Sequence, residues 1–122
     1  MLTKDTILYR KAFAFAVRVV RLHQHIVNEK REFVLSKQLL RSGTSIGANI
    51  SEANGAISQA DFSSKISIAY KESLEAKYWL SLLTETEFIT ENARSSLHKD
   101  ADELSKILFS ILRTTRLKSS ST

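Results

Sequence analysis

The chain has 122 residues, with 18 Lys+Arg against 13 Asp+Glu, no cysteine, no proline and 3 glycines. Zero cysteine excludes disulfides, thiolate metal sites, iron–sulfur clusters and cysteine nucleophiles together. So little proline and glycine starves the turns that a β-sandwich or barrel needs, and a formal charge of +5 permits an acidic partner without specifying one.

The length suits one domain, and 43% apolar residues suffice for a folded core. Arg10 and Lys11 interrupt the first apolar run, and no stretch approaches the roughly 18 apolar residues of a membrane span. The expectation is a soluble cytoplasmic protein with no membrane segment and one domain over residues 1–118.

Apolar positions recur at alternating steps of four and three, the period of a left-handed bundle seam. The first helix, expected over about 5–28, carries Leu8, Ala12, Phe15, Val19, Leu22 and Ile26. Asn28–Glu32 is a charged connection without seam residues. The second, about 33–54, carries Leu35, Leu39, Ser42, Ile46, Asn49 and Ala53, and stops at Asn54-Gly55, where a left-handed residue is expected. The third, about 59–89, opens on the capping box Ser58-x-x-Asp61 and carries Phe62, Ile66, Ala69, Ser73, Ala76, Leu80 and Leu83. Thr90–Ala93 separates it from the fourth, about 94–116, with Leu97, Ala101, Leu104, Leu108 and Ile111; residues 119–122 read as a frayed tail. Four such segments predict an all-α, antiparallel four-helix bundle.

The first helix also has Phe13, Ala16, Val17 and Val20, and the fourth adds Ile107, Phe109 and Leu112. This surplus apolar surface points to self-association. The second helix is built from poor helix formers, and Gly43 and Gly47 each cost roughly 1 kcal/mol relative to alanine. Close helix–helix approach is the expected compensation. A phosphate loop is rejected, because Gly43-Thr44-Ser45-Ile46-Gly47 lacks the G-x-G-x-x-G spacing, a Gly-Lys-Ser/Thr ending and a preceding strand. Asn49 is expected on the seam as a polar register residue, with Glu52 beside it and the Ser73 region opposite, flanked by Glu72 and Glu75.

No catalytic constellation is evident. The histidines are His23, His25 and His98, and no Glu-x-x-His occurs, so the di-iron bundle motif is absent. No cofactor, metal or enzymatic activity is expected. Charge is more informative: residues 1–41 carry +6, residues 42–91 carry −4 and the remainder +3. Arg10, Lys11, Arg18 and Arg21 gather on one side of the first helix, while Lys99, Lys106 and Arg113 repeat every seven residues on the fourth, near Arg116. These are the candidate contacts to phosphate. No aromatic interleaves with them, so contact with backbone rather than bases is expected.

The run Leu39-Leu40-Arg41-Ser42-Gly43-Thr44-Ser45-Ile46-Gly47-Ala48-Asn49-Ile50-Ser51-Glu52-Ala53 resembles the signature of the bacterial four-helix bundle proteins encoded by intervening sequences of 23S ribosomal RNA genes. Asp61-Phe62, Ile66–Ser73 and Tyr78–Leu83 resemble its second signature. The resemblance implies an up-down bundle assembling as a homo-oligomeric, pentameric ring. It extends to the accessory variability protein of diversity-generating retroelements, a basic pentamer that binds nucleic acid beside a reverse transcriptase. It implies no catalytic residues, and Gly43, Ser45, Gly47, Asn49, Glu52, Glu72 and Tyr78 stand as structural motif positions. RNA or DNA is the leading partner class. A protein-interaction scaffold is the alternative, and a metal site at Glu52, Glu72 and Glu75 a remote third.

Overall fold

The structure, a computed structural model, describes residues 6–120, with side chains through residue 115. All of its regular structure is helical: α1 (Ile7–His25), a π-helical turn (Ile26–Lys30), α2 (Leu35–Asn54), α3 (Gln59–Glu85) and α4 (Glu91–Ser120). The α2–α3 interface is the most extensive, and α1 meets α4 over a smaller one.

Each helix starts where a side chain can satisfy the orphan amides of its first turn. Thr6 Oγ1 accepts from Tyr9 N at 3.2 Å, Ser58 Oγ from Asp61 N at 3.0 Å and Thr90 Oγ1 from Ala93 N at 3.1 Å. The Asp61 carboxylate reaches back to Ile57 N at 3.2 Å, one residue before the position a capping box would use. On α2 the task falls to Glu32, whose carboxylate accepts from Val34, Leu35 and Ser36 amides at 3.0, 2.9 and 2.8 Å.

The helix ends differ from the sequence expectation. α3 stops at Glu85 rather than 89, because Glu87 turns left-handed at φ 70° and Phe88 N returns to Leu83 O at 2.8 Å. This closes a Schellman-type end, from which Phe88 and Ile89 fold back onto the core. α4 then begins three residues early, since Thr90 is its cap rather than part of a spacer. It continues through Ser120, into the segment expected to fray; Ser121 and Thr122 lie outside the described residues. The charged Asn28–Glu32 connection begins inside the π-helical turn, and the chain reverses at Arg31, left-handed at φ 55°. Gly55, by contrast, sits at φ −102° and uses no left-handed freedom.

The core follows the predicted seams, with two shifts. Leu8, Ala12, Phe15, Val19 and Ile26 of the first segment are buried, as are Ile66, Ala69, Ser73, Ala76, Leu80 and Leu83 of α3. Leu22, Leu35 and Phe62 only flank this core, half-buried. On α2 the fourth residue after Ile46, Ile50, is buried, and Asn49 turns aside to donate from Nδ2 to Ser45 O at 2.8 Å. On α4 Leu112 takes the place expected for Ile111. A straight helix drifts against a strict seven-residue repeat, and the drift selects the apolar neighbour at both places.

The buried hydroxyls are all satisfied. Ser73 and Ser105 Oγ meet at 2.7 Å across α3–α4, each also within reach of a carbonyl of its own helix, Tyr70 O at 2.6 Å and Ala101 O at 3.0 Å; one hydroxyl donates to the other, which donates to its carbonyl. Ser73, expected opposite Asn49, is thus paired with Ser105 of α4 instead.

Close approach on α2 belongs to one glycine of the two. A Cβ on Gly43 would lie 2.8 and 2.9 Å from the Val19 methyls, whereas one on Gly47 would meet Ala12 at an ordinary 3.7 Å.

Candidate nucleic-acid interface

α1 and α4 are joined at their rims by ion pairs, so their outward faces form one surface. Lys11 pairs with Glu103, while Arg18 donates from Nη1 to Asp100 Oδ2 at 2.5 Å and from Nη2 to Ser96 Oγ at 2.8 Å. The side chains of both pairs are 40–45% exposed, so water and salt screen them.

The predicted cations divide accordingly. Arg10, Arg21, Lys99 and Arg113 are exposed and form no ion pair among the described residues. Lys106, also exposed, pairs with Asp102 at 3.1 Å on its own helix, and Lys77 of α3 reaches the same carboxylate at 3.2 Å. Hydrogen bonds from Lys106 first and Lys77 second hold the Asp102 carboxyl below its ordinary value. The side chain of Arg116 lies outside the described residues. Lys11 and Arg18, expected to be available to phosphate, are therefore already engaged. Sequence reasoning passed over their partners, although Asp100 and Glu103, three apart, mark one flank of the fourth helix.

The motif positions lie on another side of the molecule, chiefly along α2–α3. Arg41 bridges Glu72, at 2.9 Å, and Glu75, and Trp79 Nε1 donates to Glu75 at 3.0 Å. The Trp79 bond first, and then Arg41, outweigh burial and hold the Glu75 carboxyl below its ordinary value. Glu52 pairs with Lys65 of α3 at 3.2 Å, and Ser45 Oγ donates to Arg41 O at 2.6 Å. Tyr78 is exposed, edge-on to Trp79 at 5.0 Å between centroids. Glu72 and Glu75 thus share Arg41 while Glu52 is paired with Lys65, and no group of three or more acidic or histidine side chains suited to a metal occurs among the described residues. Among the same residues no helix is long and apolar enough to cross a membrane.

Residues 4–110 match the family model described as 23S rRNA-intervening sequence protein. The chain belongs to that family. A solved structure from Bacteroides thetaiotaomicron VPI-5482, described as a protein of unknown function from the S23 ribosomal protein family, is 53% identical. The match covers 87% of this chain and 98% of that one, with a TM-score of 0.86. No curated protein matches the chain.

Within this intervening-sequence protein, apolar side chains also remain at the surface. Phe13 stands on α1 beside Tyr9, Phe109 on α4 beside Tyr70, and Ile68, Leu74 and Tyr78 on the outside of α3. Of the apolar surplus expected on the fourth helix, Leu112 is core, Ile107 packs against it half-buried, and Phe109 alone is exposed.

Proposed function

We propose that the protein is a non-enzymatic, homo-oligomeric helical bundle of the cytoplasm that contacts nucleic-acid backbone through the joined outer faces of α1 and α4. The observation that carries this reading is the meeting of two basic stripes on adjoining helices, with Arg10, Arg21, Lys99 and Arg113 unpaired among the described residues. Lys99 to Arg113 spans about 21 Å at 1.5 Å per residue, the length of roughly six base pairs.

The bundle is read as antiparallel and up-down. In support, contacts descend one helix as they climb the next: Arg18 with Asp100 but Lys11 with Glu103, Arg41 with Glu72 but Glu52 with Lys65, and Ser73 with Ser105 but Lys77 with Asp102. A pentameric ring is the proposed assembly, following the family resemblance. Exposed Phe13 on α1 and exposed Ile68, Leu74 and Tyr78 on α3 lie on different helices, and unlike surfaces that meet head to tail form a ring when the rotation between copies closes. A ring repeats the basic face and multiplies weak backbone contacts by avidity.

The test is fluorescence anisotropy with generic duplex DNA and single-stranded RNA over a salt series. Reversing Arg10, Arg21, Lys99 and Arg113 to Glu should abolish binding, and on duplex DNA their neutralisation should flatten the salt slope by up to about 3.6. No binding at low salt, or binding indifferent to salt, refutes the reading. The exposed apolar side chains favour a second reading, a protein-interaction scaffold. Partner capture that survives the four reversals, without any nucleic-acid binding, would establish it instead. Light scattering giving a mass near five protomers supports the ring, and a monomer refutes it.

A further inference from the structure

We propose that Asp100 and Glu103 are built-in competitors of phosphate, masking Arg18 and Lys11 on the basic face until a nucleic-acid backbone displaces them. This rests on the nucleic-acid reading above and names a control on that same face.

The chemistry follows from the ion pairs. A guanidinium fork receives a carboxylate and a phosphate in the same bidentate manner, so the two compete for one set of donors. Arg18 has both terminal nitrogens committed, one to Asp100 and one to Ser96, and Lys11 is committed to Glu103. Two of the four α1 cations are thereby neutralised, while Arg10 and Arg21 are not paired among the described residues.

Position separates these two acids from Asp102, which lies between them on α4. Asp102 faces α3 through Lys77, whereas Asp100 and Glu103 reach across to α1. They lie where a phosphate approaching Arg18 or Lys11 would sit. Both pairs are partly open to water, so a polyanion can displace them without opening the core. Ser96 completes the mimicry, since its hydroxyl occupies the second arm of the Arg18 fork. The consequence is a face that binds more weakly, and with a shallower salt dependence, than its cations alone would give.

The experiment compares the native chain with Asp100→Asn/Glu103→Gln, which keeps side-chain size and releases both cations. Labelled duplex DNA and labelled single-stranded RNA of mixed sequence serve as probes over a salt series. Expected is tighter binding by the double variant, with a salt slope steeper by about 1.8 on duplex and about 1.4 on single strands. On duplex DNA its advantage over the native chain should shrink about tenfold between roughly 50 and 200 mM salt. Glu52→Gln/Glu85→Gln makes the same charge change away from this face and should leave the slope unchanged. Adding Arg18→Ala should cost the released variant more affinity than it costs the native chain.

If the native chain binds and Asp100→Asn/Glu103→Gln binds identically, the competitor proposal falls and the nucleic-acid reading stands. An equal gain in both double variants reduces the effect to net charge and also overturns it. A silent native chain with a binding Asp100→Asn/Glu103→Gln variant overturns both the proposal and the nucleic-acid reading, because Arg10, Arg21, Lys99 and Arg113 are exposed in the native chain and should bind without any release. If neither binds either probe, the nucleic-acid reading fails and the proposal fails with it.

Discussion

Alanine at Gly43 and alanine at Gly47 should change stability in opposite directions, although both sites are glycines inside α2, one turn apart. Replacing an interior helical glycine by alanine gains about 1 kcal/mol from backbone entropy and propensity. At Gly47 the new Cβ meets Ala12 at 3.7 Å, ordinary van der Waals contact, so Gly47→Ala should gain about 0.5–1 kcal/mol. At Gly43 the Cβ would fall 2.8 and 2.9 Å from the Val19 methyls. Val19 is fully buried, and its β-branched side chain cannot rotate away at no cost. Overpacking costs about 1–3 kcal/mol, so Gly43→Ala should lose up to about 2 kcal/mol net. Urea unfolding with unchanged slope reads both values. The decisive arm is Val19→Ala, which removes the obstructing methyls. It destabilises by itself, but in its background Gly43→Ala should turn stabilising. If Gly43→Ala stabilises the native chain, or its effect is the same with and without Val19, close approach is not the reason for that glycine.

Two further predictions concern the polar groups that order the fold. Burial raises the pKa of Glu32, but the amides of Leu35, Ser36 and Val34, with the Ser36 hydroxyl, outweigh it and leave the carboxyl below its ordinary value. Its stabilisation is therefore complete above the ordinary carboxylate pKa of about 4.3 and is lost as pH falls through the lower folded value. Glu32→Gln should cost about 1 kcal/mol near neutrality, typical of a lost cap, with a smaller penalty in acid; urea unfolding at pH 7 and in acid tests this, and a pH-independent difference refutes it. Ser73→Ala and Ser105→Ala each remove the one hydrogen bond between these two hydroxyls while the surviving partner keeps its own-helix carbonyl. Each should cost about 1 kcal/mol, and the double variant clearly less than the sum; additive losses in thermal or urea unfolding would show that the pair is not coupled.

Much of the fold was legible because burial repeats with helical period. Leu8, Ala12, Phe15 and Val19, or Ile66 through Leu83, could be assigned to the interior from spacing alone, since only one face of each helix meets the others. Where two seam candidates stand side by side, period is insufficient. Asn49 against Ile50 and Ile111 against Leu112 were decided by the angle at which a straight helix meets its neighbours, which a strict heptad does not describe. The end of α3 was hidden for a related reason: Phe88 and Ile89 look like a continuing apolar face, yet they reach the core from beyond a left-handed Glu87.

Composition and periodicity act locally, so they alone show that this protein is all-helical, where most of its core lies and that its net positive charge lies in the first and last segments. The sequence also marked Gly43 and Gly47 as exceptional. Only the tertiary structure decided which glycine is needed for contact, because the difference is the position of Val19 on another helix. Likewise, only the meeting of α1 with α4 decided that Lys11 and Arg18 have carboxylate partners while Arg10, Arg21, Lys99 and Arg113 have none among the described residues. Charge can be counted along a chain, but whether a cation is open to phosphate depends on what lies within about 4 Å of it in space.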